Sequence, residues 1–274
     1  MSLSTVLYLF LAHLGVGIVA TLVFVARGAG VKFFRFNAGL AAILIAIGIA
    51  FHHHGTSPAD VDASLGDAGV LALDVAEVAI VIYWATVGRV LARVRPAIVA
   101  VAVGAGGVSI VLQALGVSAH RALPVQTLTV ASFLTSAALL GGACTAMILG
   151  HWYLVLPSMD VSYLQSIVGL HIVSMGARIV VVAAAVWFAI ATWRPDLDVG
   201  PGFRHYILSI DGIFFWQRVL FGLAGPAVLS YLTWETAKIR STQSATGILY
   251  VDFFTVVVGE VLAKYIVLAT RVPV

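Results

Sequence analysis

The chain has 274 residues, of which 61% are hydrophobic and only 10% are charged. A water-soluble domain carries about 25% charged residues, so this composition excludes a soluble globular protein and indicates helices that lie in lipid. The net charge of +3 is too small to predict nucleic-acid binding. Since Cys144 is the single cysteine, an internal disulfide, a CxxCH haem attachment and a cysteine-ligated iron–sulfur cluster are also excluded.

Eight apolar segments are long enough to cross a bilayer core of about 30 Å, which requires about 20 helical residues. We predict spans one to eight at residues 3–26, 34–54, 66–89, 97–119, 124–152, 161–193, 204–236 and 243–270. Arg35 leaves span two an apolar stretch of residues 36–51 only, which is short for a full crossing. Glycine and proline interrupt span seven at residues 222–226 and predict a kink there.

The basic residues between the spans predict the orientation, since Lys and Arg concentrate in cytoplasmic loops. They are Arg27, Lys32 and Arg35 in loop one, Arg89, Arg93 and Arg95 in loop three, and Lys238 and Arg240 in loop seven. These odd-numbered loops are therefore predicted to lie inside and both termini outside. The sequence predicts an all-α polytopic protein of the plasma membrane with eight transmembrane helices.

Ten ionisable side chains fall within the predicted spans, although each costs about 2.5 to 3.5 kcal/mol on insertion. They are His13, Asp74, Glu77, His171, Arg178, Asp211, Arg218, Asp252, Glu260 and Lys264. Each therefore needs a partner, a cavity or a function.

An acid–base cluster is predicted in the outer half of the first four spans. Asp74 and Glu77 are three residues apart, share one helix face and cannot both stay ionised cheaply in a low dielectric. His13 lies at a similar depth, and a run of histidines, His52, His53 and His54, ends span two on the same side. These groups are expected to bind or release protons near neutral pH. The alternative is that each one pairs with a neighbouring group, and adjacent histidines that point in different directions do not favour a metal site.

Charges in the last three spans are predicted to compensate one another. Glu260 and Lys264 have the i, i+4 spacing, with the acid first, that favours an intrahelical pair. Arg178 and Asp211 fall at similar outer depths if spans six and seven are antiparallel neighbours. A structural network of ion pairs is the favoured interpretation of these side chains.

Arg218 lies nearer the middle of span seven, from which it is expected to reach Asp252 or a cavity. The alternative interpretation is a solvated proton path through Asp252, Glu260 and Arg218.

Two histidines, His151 and His171, suggest haem b as an alternative function. His151 ends span five on the cytoplasmic side, whereas His171 lies deeper in span six, and axial ligands need a common depth.

An ion or solute transporter is a further alternative, because residues 222–226 could form a broken helix at a binding site. That class predicts an inverted repeat, which the sequence does not show. A retinal protein is disfavoured, since span four has no carboxylate counterion for Lys264.

Three stretches of sequence add to the eight-span pattern. They are Leu7-Tyr8-Leu9-Phe10-Leu11-Ala12-His13-Leu14-Gly15-Val16-Gly17 in span one, His52 to Gly55 after span two, and Val258-Gly259-Glu260-Val261-Leu262-Ala263-Lys264-Tyr265 in span eight. In these features the chain resembles the membrane-anchor subunits of complex iron–sulfur molybdoenzymes, the polysulfide-, dimethyl-sulfoxide- and nitrite-reductase type. The family usually has Gly-Arg where this chain has Ala263-Lys264.

The resemblance implies two four-helix bundles, residues 1–122 and 123–274, and a bacterial inner membrane. It also implies no haem and one site for menaquinone or ubiquinone near the outer face of the first bundle. The matching site residues are His13, His52, His53, His54, Asp74 and Glu77, which are the members of the acid–base cluster.

Quinol oxidation releases two electrons and two protons, so such a site needs a base and an electron acceptor. A chain with one cysteine cannot hold an iron–sulfur acceptor. The resemblance therefore implies an iron–sulfur partner and a separate catalytic subunit, with this chain as the quinone-linked subunit of an oxidoreductase complex.

Overall fold

A computed structural model describes residues 2–54, 62–89, 92–156, 158–193 and 202–274, and these ranges are almost entirely helical, with no strand. A helix satisfies its own backbone hydrogen bonds, which is what a spanning segment requires in hydrocarbon. Seven helices within these ranges are long and apolar enough to cross a membrane. The chain is therefore a helical protein of the polytopic membrane type, as the composition predicts.

The described ranges contain ten α-helices, which lie within a few residues of the predicted spans. They are α1 (Leu3–Leu22), α2 (Val31–His54), α3 (Ala63–Thr86), α4 (Arg95–Ser118), α5 (Leu123–Val155), α6 (Ser162–Ala191), α7 (Phe203–Leu208), α8 (Ile213–Val219), α9 (Gly225–Lys238) and α10 (Thr242–Thr270). Helices α7, α8 and α9 together occupy the region of predicted span seven.

The second predicted span is confirmed as an apolar helix, whereas the third is helical but stays a prediction as a membrane crossing. Helix α2 runs unbroken for 24 residues and is one of the seven apolar helices, although Arg35 shortens its apolar stretch. The Arg35 guanidinium lies over the Trp84 ring of α3, 5.2 Å from its centroid, which gives its charge a favourable cation–π contact. Helix α3, which carries Asp67, Asp74 and Glu77, is not among the seven, so a total of eight crossings stays a prediction.

The expectation of one continuous helix in span seven is wrong at its beginning. The chain turns after α7 through Ser209, whose backbone is extended, and a 3₁₀ turn at Ile210–Gly212 precedes α8. A side chain at Gly212 would lie 2.6 Å from the carbonyl oxygen of Ile207, so the tight turn favours glycine.

The predicted interruption farther along span seven is confirmed, because a five-residue π-helical segment, Leu220–Ala224, separates α8 from α9. Such π-segments are frequent at functional sites.

Two pairs of glycines bring helices into close contact. Gly17 of α1 meets α5 so closely that a Cβ on Gly141 would overlap the backbone of Gly17, and a Cβ on Gly17 would overlap the carbonyl group of Ala137. Gly222 of the π-helical segment and Gly259 of α10 approach each other in the same way. Small residues allow this approach in membranes, where packing and polar contacts replace the hydrophobic driving force. The first contact joins the two predicted bundles, and the second places the end of α8 against α10.

Candidate functional site

A buried carboxylate, Glu260 on α10, is the centre of a polar cluster between the helices. Its oxygens contact Arg178 Nε at 3.0 Å and Arg218 Nη2 at 2.7 Å. The Lys264 ammonium lies 3.6 Å away, and the Ser136 hydroxyl donates to Glu260 Oε2 at 2.5 Å. All of these side chains are almost completely buried. Together with His13, which contacts Ser136, they are referred to below as the Glu260 cluster.

Arg178 of α6 is fully engaged in this cluster. Its Nε and Nη2 donate to the two oxygens of Glu260, in the bidentate arrangement that makes arginine–carboxylate pairs strong. Its Nη1 donates to the hydroxyl and the carbonyl oxygen of Ser132, at 2.6 and 2.9 Å, and its Nη2 also donates to the main-chain oxygen of Val274. We therefore interpret Arg178 as the group that fixes the position of Glu260.

Arg218 and Lys264 are less completely bonded than Arg178. Arg218 donates one hydrogen bond to Glu260, and its Nε and Nη1 are buried without a hydrogen-bond partner among the described residues. Lys264 donates to Ser136 Oγ at 2.6 Å and lies 5.0 Å from the centroid of the Phe133 ring. Three basic side chains thus surround one carboxylate, so the cluster carries an excess of positive charge when all of them are ionised.

His13 connects the Glu260 cluster to the first four helices. Its Nδ1 lies 3.4 Å from Ser136 Oγ, and its ring packs edge-on against Phe133 with the centroids 4.9 Å apart. Gln113 of α4 lies nearby, but His13 Nε2 is buried without a hydrogen-bond partner among the described residues. Gln113 Nε2 donates to Ser109 Oγ at 3.0 Å, and this hydroxyl donates to the carbonyl oxygen of Gly69 in α3. Two sets of bonded polar groups, Gln113 with Ser109 and His13 with Ser136, therefore lie near each other, without a hydrogen bond that joins them.

A second buried contact, between His171 of α6 and Asp252 of α10, lies on the same two helices. His171 Nε2 is 2.8 Å from Asp252 Oδ2, and both side chains are fully buried. Neither atom is in hydrogen-bond geometry with a described partner, so the contact is electrostatic and not an aligned hydrogen bond. His171 precedes Arg178 by seven residues and Asp252 precedes Glu260 by eight, which places the two contacts about 11 Å apart along the helices.

An apolar groove lies between α1, α2, α5 and α10. It has a volume of about 480 Å³ and is lined mainly by aliphatic and aromatic side chains. Its polar groups include His151 of α5 and Tyr250 of α10, whose hydroxyl is 2.9 Å from His151 Nδ1. Phe36 and Tyr250 are both about half exposed, so the groove opens on the surface that faces lipid when the helices span a membrane. We call it the lateral groove.

The side chains of the predicted acid–base cluster occupy different environments. His13 is buried in the Glu260 cluster, whereas Asp74 is exposed and Glu77 is partly buried on α3. His52 packs against Tyr8, with the ring centroids 4.8 Å apart, and His53 is exposed beside it. The side chain of His54 lies outside the described residues. Asp74 lies near Glu77 and also near Tyr8, the residue that packs against His52. Among the described residues, the direct contacts of His13 are with Ser136 and Phe133 and not with Asp74 or Glu77.

The predicted pairings in the last three spans are only partly right. Glu260 and Lys264 are in contact as expected, but Glu260 has closer partners in Arg178 and Arg218. The pairing of Arg178 with Asp211 is wrong, because Asp211 lies exposed in the 3₁₀ turn before α8.

Of the two alternatives expected for Arg218, Asp252 or a cavity, the contact with Asp252 is wrong. Arg218 is beside Glu260, eight residues farther along α10, and His171 occupies the position next to Asp252. The α8–α10 contact at Gly222 and Gly259 sets this register.

The two histidines proposed as haem ligands have separate partners. His151 is exposed at the lateral groove and contacts Tyr250, whereas His171 is buried against Asp252. The described parts of the chain contain no group of three or more His, Cys, Asp or Glu side chains placed to hold a metal ion.

Several residues of the site could not be identified from the sequence. Ser132 and Ser136 lie one turn apart on α5, and both bond to the charged groups of the cluster. Their four-residue spacing puts them on one face, but other serines in the spans have similar surroundings in the sequence. Gln113 and Tyr250 are likewise ordinary residues of apolar helices until their neighbours are known.

No protein-family model, characterised protein or solved structure matches this chain. The function is therefore inferred from the geometry of the buried groups and the cavities.

Proposed function

We propose that this protein exchanges protons with a membrane quinone and passes them through ionisable groups buried between its helices. The observation that carries the proposal is the Glu260 cluster, in which four charged side chains and a histidine are enclosed within membrane-type helices. Ionisable groups at such depth are expensive and are usually associated with proton relays or ion pathways.

The arrangement of α10 supports a role in proton movement. Tyr250, Asp252, Glu260 and Lys264 follow one another along this helix, and each of them contacts a polar group on another helix. The His171–Asp252 contact places two proton-binding groups 2.8 Å apart, and direct exchange between them requires a side-chain rotation that aligns the hydrogen bond. These groups form three separate polar contacts along α10, and the proposal requires protons to pass between them.

The lateral groove supports the choice of quinone as the carrier. A site of about 480 Å³ with an apolar lining and a few polar groups is typical of small-molecule sites. A quinone has an apolar tail and two carbonyl oxygens that accept hydrogen bonds. The Tyr250 hydroxyl can donate to one of these oxygens, and the His151 ring can accept a proton from the corresponding quinol hydroxyl.

This placement differs from the outer site that the family resemblance implies. In the proposal, His13 belongs to the buried relay, while the quinone head group lies beside His151 and Tyr250. Oxidation of one quinol there releases two protons and two electrons, and the protons pass to His151 and then to the buried groups. The two electrons pass to an iron–sulfur partner subunit, which this proposal requires.

Quinone binding can be tested with the purified full-length chain, because Trp152 lines the lateral groove. Quinones quench tryptophan fluorescence, so titration with decylubiquinone is expected to give saturable quenching. Tyr250→Phe removes one hydrogen bond worth about 1 kcal/mol and is expected to weaken binding about fivefold. Tyr231→Phe is the matched control, since Tyr231 is also on the surface but does not line the groove.

Two outcomes contradict the proposal. Non-saturable quenching by the wild-type protein means that the groove is not a quinone site, and equal affinities for the Tyr250→Phe and Tyr231→Phe variants mean that quinone binds elsewhere. Saturable binding in the groove, together with an iron–sulfur protein that co-purifies from native membranes, supports both parts of the proposal.

An anion transporter is the second candidate, and one feature favours it. Arg218 has two guanidinium nitrogens without a hydrogen-bond partner among the described residues, and it immediately precedes the π-helical break. Broken helices and unpaired charges near the membrane midplane are typical of transporter sites. Chloride uptake by proteoliposomes of the wild-type protein, without saturable quinone binding, favours this function.

A further inference from the structure

A large cavity lies between α1, α2, α3 and α4, at the ends that the charge pattern predicts to be cytoplasmic. Its volume is about 720 Å³. Val19 and Leu22 of α1, Phe34 of α2 and Val99 of α4 give it a mainly aliphatic wall. This cavity is separate from the lateral groove and from the Glu260 cluster, whose residues do not line it.

Two arginines line this cavity. Arg27 begins the 3₁₀ turn between α1 and α2 and is exposed, and Arg95 is the first residue of α4. The Nε of Arg95 is buried without a hydrogen-bond partner among the described residues. The residues that line the cavity include no Asp or Glu. The two guanidinium groups therefore have no carboxylate within the cavity to neutralise them.

We propose that this cavity binds an anionic phospholipid of the cytoplasmic leaflet. The phosphate lies beside Arg27 and Arg95, and an acyl chain packs against the aliphatic wall formed by Val19, Leu22 and Val99. The lipid matches both the arginines and the aliphatic wall. Arginine binds the phosphate oxygens of the head group in a bidentate manner, and the wall excludes water from around the acyl chain. Basic pockets between transmembrane helices on the cytoplasmic side favour anionic head groups over zwitterionic ones.

A neutral lipid or a free phosphate ion fits only part of these observations. A zwitterionic lipid brings its own cationic group beside the phosphate, so its net charge does not offset the charges of the two guanidinium groups. Inorganic phosphate leaves the aliphatic wall and most of the volume of about 720 Å³ unused. The anionic lipid is therefore the single occupant that satisfies the charges and the apolar surface together.

Native mass spectrometry of the full-length protein released from micelles tests this inference. Titration with dioleoylphosphatidylglycerol is expected to give a saturable one-to-one adduct, and dioleoylphosphatidylcholine is expected to bind far more weakly. The double variant Arg27→Gln with Arg95→Gln is expected to bind phosphatidylglycerol about thirtyfold more weakly, from the loss of two charges near the head group. Sodium phosphate at millimolar concentration is expected to compete poorly with the lipid.

The matched control is the double variant Arg89→Gln with Arg93→Gln. Both arginines lie in predicted loop three, close to Arg95 in the sequence, but neither side chain lines the cavity. If both double variants lose affinity for phosphatidylglycerol equally, the proposal is overturned, because the net charge of the protein alone then explains lipid binding. Full competition by sodium phosphate, or equal affinity for the two lipids, overturns it as well. If the Arg95 substitution prevents folding, the single variant Arg27→Gln is expected to show about a fivefold loss and keeps the test decisive.

Discussion

Replacement of Glu260 by glutamine is the most informative perturbation of the buried cluster. The substitution keeps the shape of the side chain and removes the one negative charge that faces Arg178, Arg218 and Lys264. When these four side chains are all ionised, three cations and one anion give them an excess of two positive charges. Glu260→Gln raises that excess to three, whereas Lys264→Met lowers it to one. The two variants therefore change the charge imbalance in opposite directions.

The structure gives the magnitude of the effect. The nitrogen–oxygen separations of 2.7, 3.0 and 3.6 Å correspond to attractions of about 5 to 6 kcal/mol each at an effective dielectric constant of about 20. Repulsion among the three cations and the cost of desolvation offset most of this sum. The net loss on removing one partner from a buried ion pair is about 3 to 5 kcal/mol, which is the loss of unfolding free energy expected for Glu260→Gln.

Equilibrium unfolding of the purified protein by sodium dodecyl sulfate in mixed micelles measures this free energy. The Lys264→Met variant is the comparison and is expected to lose clearly less than Glu260→Gln, because it relieves repulsion from Arg178 and Arg218. If the two variants are equally stable, or if Glu260→Gln is the more stable one, the carboxylate is not the group that holds the cations in place.

Two further predictions concern packing and capping. Gly259→Ala would overlap Gly222 and is expected to cost about 1 to 3 kcal/mol of unfolding free energy in the same titration, whereas Gly247→Ala, in open space on the same helix, should be neutral or slightly stabilising. Hydrogen bonds from Ser64 and the first turn of α3 lower the pKa of Asp62. The ionised Asp62 therefore stabilises the folded protein above pH 3.8, and this stabilisation is lost as the pH falls through the pKa of Asp62 in the folded state. Asp62→Ala should accordingly make the thermal unfolding midpoint fall less steeply as the pH is lowered. An unchanged acid-side profile in that variant would show that the cap does not contribute.

The position of the helices was predictable to within a few residues. Hydrophobic length decides where a helix spans a bilayer, and that length can be read directly from consecutive residues. The break around Gly222 and Pro226 was predictable for a similar local reason, since glycine and proline both weaken a helix where they stand. The 3₁₀ turn that removes Asp211 from span seven was not anticipated, although Asp211-Gly212 is a dipeptide that commonly marks turns, because apolar residues on both sides favoured one uninterrupted span.

The partners of the buried charges could not be predicted in the same way. Depth along a helix suggested Arg178 with Asp211 and Arg218 with Asp252, yet both arginines contact Glu260. Depth supplies one coordinate, and a contact also requires that two helices are neighbours and that both side chains point into the shared interface.

The amino-acid sequence by itself determined that this is a helical membrane protein, approximately where its helices lie, and that several ionisable groups are held inside it. Only the tertiary structure decided that His13 and Ser136 meet the charges of α6, α8 and α10, and that His151 and Tyr250 share a groove. The physical reason is that hydropathy acts residue by residue along the chain. Helix rotation and neighbour choice depend instead on close contacts between distant glycines, such as Gly17 with Gly141.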